Sequence, residues 1–164
     1  MNWTLFWLFL HISAAIVAFG PTFVFPIIGP MIGKEPQHAH FAVVIMEKIE
    51  KGLVVPVALT MLVSGIGLIV SSHINPTGSV WLGVAIVIYL VEISLAIFVQ
   101  LPTTARLAKL TEQGPPPGAP TGGGPPPAIA ALARRSQMVG ILMTVGLFTI
   151  IFLMIVKPGG TTTF

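Results

Sequence analysis

The 164-residue chain has no cysteine, a single tyrosine and few charges, with eight Lys and Arg against five carboxylates. The missing thiols exclude disulfides and thiolate-bound metals, and say nothing about redox compartment. The shortage of charge excludes more. Charged residues make up 8% of the chain and hydrophobic ones 54%, where ordinary soluble domains are about 25% charged. A soluble domain of this length could not bury that much apolar surface, so lipid must be the solvent for much of it. A bilayer is therefore the expected partner, and a nucleic acid is not.

Four long runs carry almost no charge: residues 3–28, 53–72, 79–101 (with Glu92 alone) and 136–156. Each is long enough, at about 20 residues, to cross roughly 30 Å of hydrocarbon as an α-helix. None shows the polar–apolar alternation of a barrel strand. The expected fold is an all-α membrane protein, a four-helix up-down bundle forming one domain over residues 1–164. The first run is read as a span and not a signal peptide, because no basic residue precedes it and its apolar stretch is too long. The stretch HFAVVIMEKIEKGLVV predicts that the second helix starts before its apolar run, at the membrane surface, with Glu47 and Lys51 as an i,i+4 pair. The third helix is expected to pass Pro102 into TTARLAKLTEQ. Pro21, Pro26 and Pro30 punctuate the end of the first helix, and Pro56 bends the second. Residues 114–128, GPPPGAPTGGGPPPA, read as a Pro/Gly linker between helices 3 and 4.

Basic residues set the expected orientation. Lys34, Lys48, Lys51, Arg106, Lys109, Arg134 and Arg135 lie on the two long connections, and Lys157 alone lies on the side of the termini. By the positive-inside rule both long loops are cytoplasmic and both termini are outside. Trp3, Trp7 and Trp81 then fall at or near the outer interface. Ser136, Gly140 and Thr144 form a small-residue seam on helix 4, and Ser64 and Gly67 one on helix 2, read as packing within the bundle.

Two ionisable groups stand inside spans, His11 and Glu92, and such groups face the bundle interior or a cavity. At about 1.5 Å per residue, His11 lies roughly 12 Å from the outer end of helix 1, level with Thr60 or Ser64, Tyr89 and Thr149. Glu92 is one turn deeper than Tyr89 on the same face, which makes a chain His11–Tyr89–Glu92 geometrically possible. Three readings of His11 stay open: an interhelical hydrogen bond, an axial haem ligand, or a proton or metal relay with Glu92. Ala14, Ala15 and Ala18 beside it leave room for a close helix or a flat ligand. Glu92 is expected as a protonated carboxyl within the bundle. A bis-histidine haem lacks a second imidazole at the right level. His38 and His40 read as polar loop, a weak metal pair at most, and no resident metal site is expected.

LHISAAIVAFG, MEKIEKGLVVPVALTMLVSGIGLIV and the closing FLMIVKP resemble a family of small bacterial four-helix integral-membrane proteins of unknown function, whose last helix ends Leu-Met-x-x-Lys-Pro. The resemblance covers nearly the whole chain outside the linker. Copper-resistance D-type proteins and small membrane protoporphyrinogen oxidases look like more distant relatives. The resemblance to the oxidases implies haem b near His11 and matches Met46–Glu47 to the head of their second helix. The basic residues that follow their first helix are replaced here by FPIIGPMIG, and their lysine on a later helix has no counterpart. The methionines show no common spacing, unlike a copper path.

Three functions follow as expectations. The first is a non-enzymatic integral membrane protein, either a family member of unknown role or a subunit of a larger membrane complex, with other membrane subunits or a second copy as partners. The second is a haem-binding, redox-capable membrane protein with His11 as ligand. The third is a small ion or metal permease using His11 and Glu92.

Overall fold

A computed structural model describes residues 2–75, 78–112, 114 and 125–159. The order is α1 (Trp3–Phe19), a 3-10 turn (Gly20–Phe23), α2 (Phe25–Lys34), a 3-10 turn (Pro36–His38), α3 (Ala39–Ile49), a π turn (Glu50–Val54) and α4 (Val55–Ser71). Then follow α5 (Val80–Leu95), a second π turn (Ala96–Gln100), α6 (Leu101–Thr111) and α7 (Pro127–Val156). Joined through their turns, these make four helices long and apolar enough to span a membrane: Trp3–Gly29, Ala39–Ser71, Val80–Thr111 and Pro127–Val156. The protein is an all-α, four-span membrane protein, as the charge-free runs imply.

Local chemistry explains the ends and the breaks. Asn2 caps α1, its side chain accepting from the Leu5 N–H at 3.3 Å. Pro21 sits in the first turn of the 3-10 segment, where its missing N–H costs least. The helix then resumes as α2 instead of ending, and Pro26 falls in the first turn of α2. Both π turns stand just before a proline: Glu50–Val54 before Pro56, Ala96–Gln100 before Pro102. A proline removes one backbone donor and crowds the preceding turn. Widening that turn by one residue absorbs the clash without breaking the span. Lys157, in the left-handed conformation at φ 47°, closes α7 by donating its N–H to the Leu153 carbonyl.

In this arrangement α1 packs along α4, α5 along α7, and α3 along α6. One apolar cluster joins Trp81, Leu82, Ala85 and Leu153 at the α4–α5 end, and another joins Val43, Leu107 and Ala108 at the opposite end. Most large apolar side chains, such as Phe9, Ile16, Val70, Val87, Phe98 and Ile155, point outward, as lipid-facing surfaces do. The interfaces instead use small residues: Ala18 and Ser64 are fully buried between α1 and α4. The indole of Trp7 lies flat on Gly67.

Several expectations are corrected. Among the described residues the one ion pair is Glu35–His38, so Glu47 and Lys51 do not pair. Lys51 lies inside the π turn, where the added residue rotates it out of the i+4 position. Trp81, in the first turn of α5, packs into the apolar cluster with the Lys157 ammonium 5.8 Å from its ring centre, while Trp3 is exposed; both stand near a span end, which is the depth expected of them. Most of the 114–128 linker lies outside the described residues, and α7 already begins at Pro127. The small-residue seam on α7 is used only in part. Ser136 meets the third span through Gln100, while Gly140 has open space beside it.

Candidate functional site

His11 turns toward α4. Its Nδ1 lies 3.1 Å from the Met61 carbonyl oxygen and 3.0 Å from Ser64 Oγ. A carbonyl only accepts, so Nδ1 carries the proton and Nε2 the lone pair. Ser64 Oγ also donates to the Met61 carbonyl at 3.0 Å. Imidazole, hydroxyl and carbonyl thus close a small network that clamps the first span to the second. Gly65 eases the fit, because a Cβ there would sit 3.3 Å from His11 Cε1 and press on the ring. The Ser64 level expected from helix rise is the level found.

Tyr89 and Glu92 do not join that network. The Tyr89 hydroxyl donates to the Ala58 carbonyl at 2.5 Å, tying α5 to α4 elsewhere. Glu92 faces the fourth span, its carboxyl seated in the space that a side chain on Gly146 would fill. Glu92 is half-buried, and its carboxyl has neither a hydrogen-bond nor an ion-pair partner among the described residues. The chain His11–Tyr89–Glu92 is therefore not assembled. The three side chains serve three separate contacts, and Thr149 donates to its own helix at Val145.

A second polar group lies around the π turns, and sequence reasoning missed it. Glu50 is buried at 4% exposure and accepts a 2.7 Å hydrogen bond on Oε2 from Thr104. One turn earlier on the same face as Thr104, Gln100 donates its amide N–H to Ser136 Oγ at 2.7 Å. Its other side-chain atom, Oε1, is buried without a partner among the described residues. Nearer the α2–α3 end, His40 Nδ1 lies 3.1 Å from the Ala108 carbonyl and 3.3 Å from Thr111 Oγ1. His40 is thus an interhelical residue and not polar loop, and it faces away from His38, which bonds Glu35 at 2.9 Å. The signal was present in the spacing Gln100, Thr104, Leu107, Thr111, a helical stripe with three polar members.

The resemblance to the oxidases implies haem at His11, and the residues present do not fit it. The small-residue bed of Ala14 and Ala18 is covered by α4, leaving both at 6% exposure or less. The other imidazoles stand at the two ends of the second span, His73 at one and His38 and His40 at the other. Among the described residues no cluster of three His, Cys, Asp or Glu side chains gathers to hold a metal ion.

Comparison with known proteins is consistent with this architecture. No curated protein and no solved structure matches the chain. Residues 5–158, nearly its whole length, match the family described as predicted integral membrane protein (DUF2269), and the chain belongs to that family.

Proposed function

We propose that this integral membrane protein is a small permease for protons or small cations, with its path along the inner side of the third span. Tyr89, Glu92, Gln100, Thr104 and Thr111 fall on that side. The observation that carries the reading is Glu92, a carboxyl in the middle of a span with no partner among the described residues. Stranding a polar group in hydrocarbon costs several kcal/mol, about 2–7 for an amide or hydroxyl and more for a charge. Intramembrane carboxyls therefore mark ion or proton paths when nothing structural uses them. His11, spent on its clamp, has a holding role and no part in the path. The seven-to-one distribution of Lys and Arg supports a cytoplasmic α2–α3 end and 103–134 connection with both termini outside, and the resemblance to small bacterial membrane proteins supports a bacterial inner membrane.

The same unpartnered carboxyl supports a second reading, a subunit of a larger membrane complex or a homo-oligomer in which a neighbouring chain brings a donor to Glu92. Reconstitution separates the two. The chain purified alone into liposomes carries a proton or sodium flux that Glu92→Gln abolishes. Absence of flux from the purified chain, with Glu92-dependent cross-linking to another subunit in native membranes, overturns the permease reading in favour of the second.

A further inference from the structure

We propose that Glu50, Gln100, Thr104 and Ser136 form a binding site for a dehydrated, sodium-sized monovalent cation that exchanges with the proton of Glu50. The site goes beyond the role given to Glu92: it shares Gln100 and Thr104 with the path proposed above, but it is built on Glu50 and does not use Glu92. It stands where the second, third and fourth spans meet, at the two proline-linked π turns.

Four side-chain oxygens carry the argument. Glu50 supplies a carboxylate at 4% exposure, and Thr104 lies 2.7 Å from it. Gln100, at 9% exposure, holds a buried side-chain oxygen with no partner among the described residues. Ser136 Oγ accepts from Gln100 Nε2 and keeps a lone pair free. An all-oxygen donor set without sulfur or imidazole suits a hard cation. The charge of the set chooses among hard cations. One carboxylate neutralises one positive charge, so a monovalent ion leaves the buried site neutral. A divalent ion would leave a net positive charge in a low-dielectric interior, where an uncompensated charge costs several kcal/mol.

Thr104 equips the site for exchange. Its single hydroxyl proton has three acceptors in reach: Glu50 Oε2 at 2.7 Å, the Leu101 carbonyl at 3.0 Å and the Gln100 carbonyl at 3.2 Å. With the cation bound and Glu50 ionised, Thr104 donates to Oε2. With the cation gone and Glu50 protonated, the carboxyl donates to Thr104, and the hydroxyl turns to a main-chain carbonyl. Both states are fully hydrogen-bonded at this pair, so neither is stranded. The step balances: the carboxylic acid and an aqueous cation give the carboxylate–cation pair and an aqueous proton. The charged groups near Glu50 are few. Glu47 precedes it by one turn and acts on it through space. Lys48 and Lys51 on its own span, Arg106 on α6 and Arg134 and Arg135 on α7 are exposed. From α1 and α4 the titratable group is His11, held at Met61 and Ser64.

The experiment is thermal unfolding of the full chain in detergent, with sodium chloride replaced by choline chloride at constant ionic strength, from pH 5 to pH 9. A ligand that binds only the folded state raises the midpoint as its concentration exceeds its Kd. Sodium should raise the midpoint saturably, and choline should not. Half-saturation should move about tenfold higher for each pH unit downward over the range where Glu50 is protonated, as one-for-one competition requires. Glu50→Gln and Thr104→Val should lose the sodium response. Thr104→Ser should keep it, and Ser136→Ala, the mildest change, should weaken it. Glu92→Gln should leave it intact even if flux is gone, which separates this site from the permease reading. Equal midpoints in sodium and choline at every pH, or a sodium response unchanged in Glu50→Gln, overturn the proposal.

Discussion

Gly67 gives the sharpest test of how the first two spans are held. A Cβ at Gly67 would stand 2.6 and 2.7 Å from Cε2 and Cε3 of Trp7, and closer still to Cδ2. Carbon atoms in contact sit about 3.5–4.0 Å apart, so the indole must retreat by about 1 Å. Three atoms of a rigid bicyclic ring are involved, so no rotation of a flexible tip relieves the overlap. Either α1 lifts off α4, loosening the His11–Ser64 clamp one turn away, or Trp7 swings into the apolar groove beside it, lined by Trp3, Val63, Ile66 and Val70. Overpacking of this kind costs about 1–3 kcal/mol. Gly67→Ala should therefore lower the unfolding midpoint in detergent by several degrees. Gly65→Ala, whose Cβ would sit 3.3 Å from His11 Cε1, should cost less. Gly140→Ala meets nothing within 4 Å and should gain the roughly 0.8–1 kcal/mol by which alanine outranks glycine in a helix. Adding Trp7→Leu to Gly67→Ala should recover part of the loss, since the clash needs both partners. A Gly67→Ala protein as stable as wild type, or less disturbed than Gly140→Ala, refutes this account of the interface.

Other outcomes follow from the same contacts. His11→Leu and Ser64→Ala should each destabilise the protein by about 1 kcal/mol, the scale of interhelical hydrogen bonds in membranes. Their double variant should cost less than the sum, as a double-mutant cycle in detergent would report. Gly146→Ala displaces the flexible carboxyl of Glu92, so flux in liposomes should fall while the unfolding midpoint stays near that of wild type. Reporter fusions should place the 103–134 connection in the cytoplasm and the segment after Lys157 outside, and a cytoplasmic carboxyl terminus would contradict that orientation.

Much of this architecture was legible in the amino-acid order, because a bilayer imposes length and polarity on every span. The four charge-free runs became the four long helices, and helix rise put Thr60 or Ser64, Tyr89 and Thr149 level with His11, of which Ser64 is the one it meets. Gly67 was legible as a packing residue because a small residue in a span has few other uses. What escaped was the part that depends on register. Glu50 sits among Glu47, Lys48 and Lys51, and that charge density reads as a membrane surface. Glu50 instead opens the π turn and faces inward to Thr104, and Glu47 and Lys51 stay unpaired with each other. Prolines 56 and 102 announce a local irregularity, but not whether it becomes a kink or a widened turn. The lateral packing of Trp81 was not legible either: its place near a span end suits the interface, and only the contact of α5 with α7 shows that its ring also joins an apolar cluster.

The most direct test of the central claim is chemical modification of Glu92 with a hydrophobic carbodiimide, which reacts with protonated carboxyls in the membrane. The reagent is applied to the reconstituted chain, the modified residue is mapped by mass spectrometry, and ion flux is measured on the same vesicles. The account predicts that modification falls on Glu92 and that flux declines in proportion to the fraction of Glu92 modified. Full flux from vesicles in which Glu92 is quantitatively modified would contradict it.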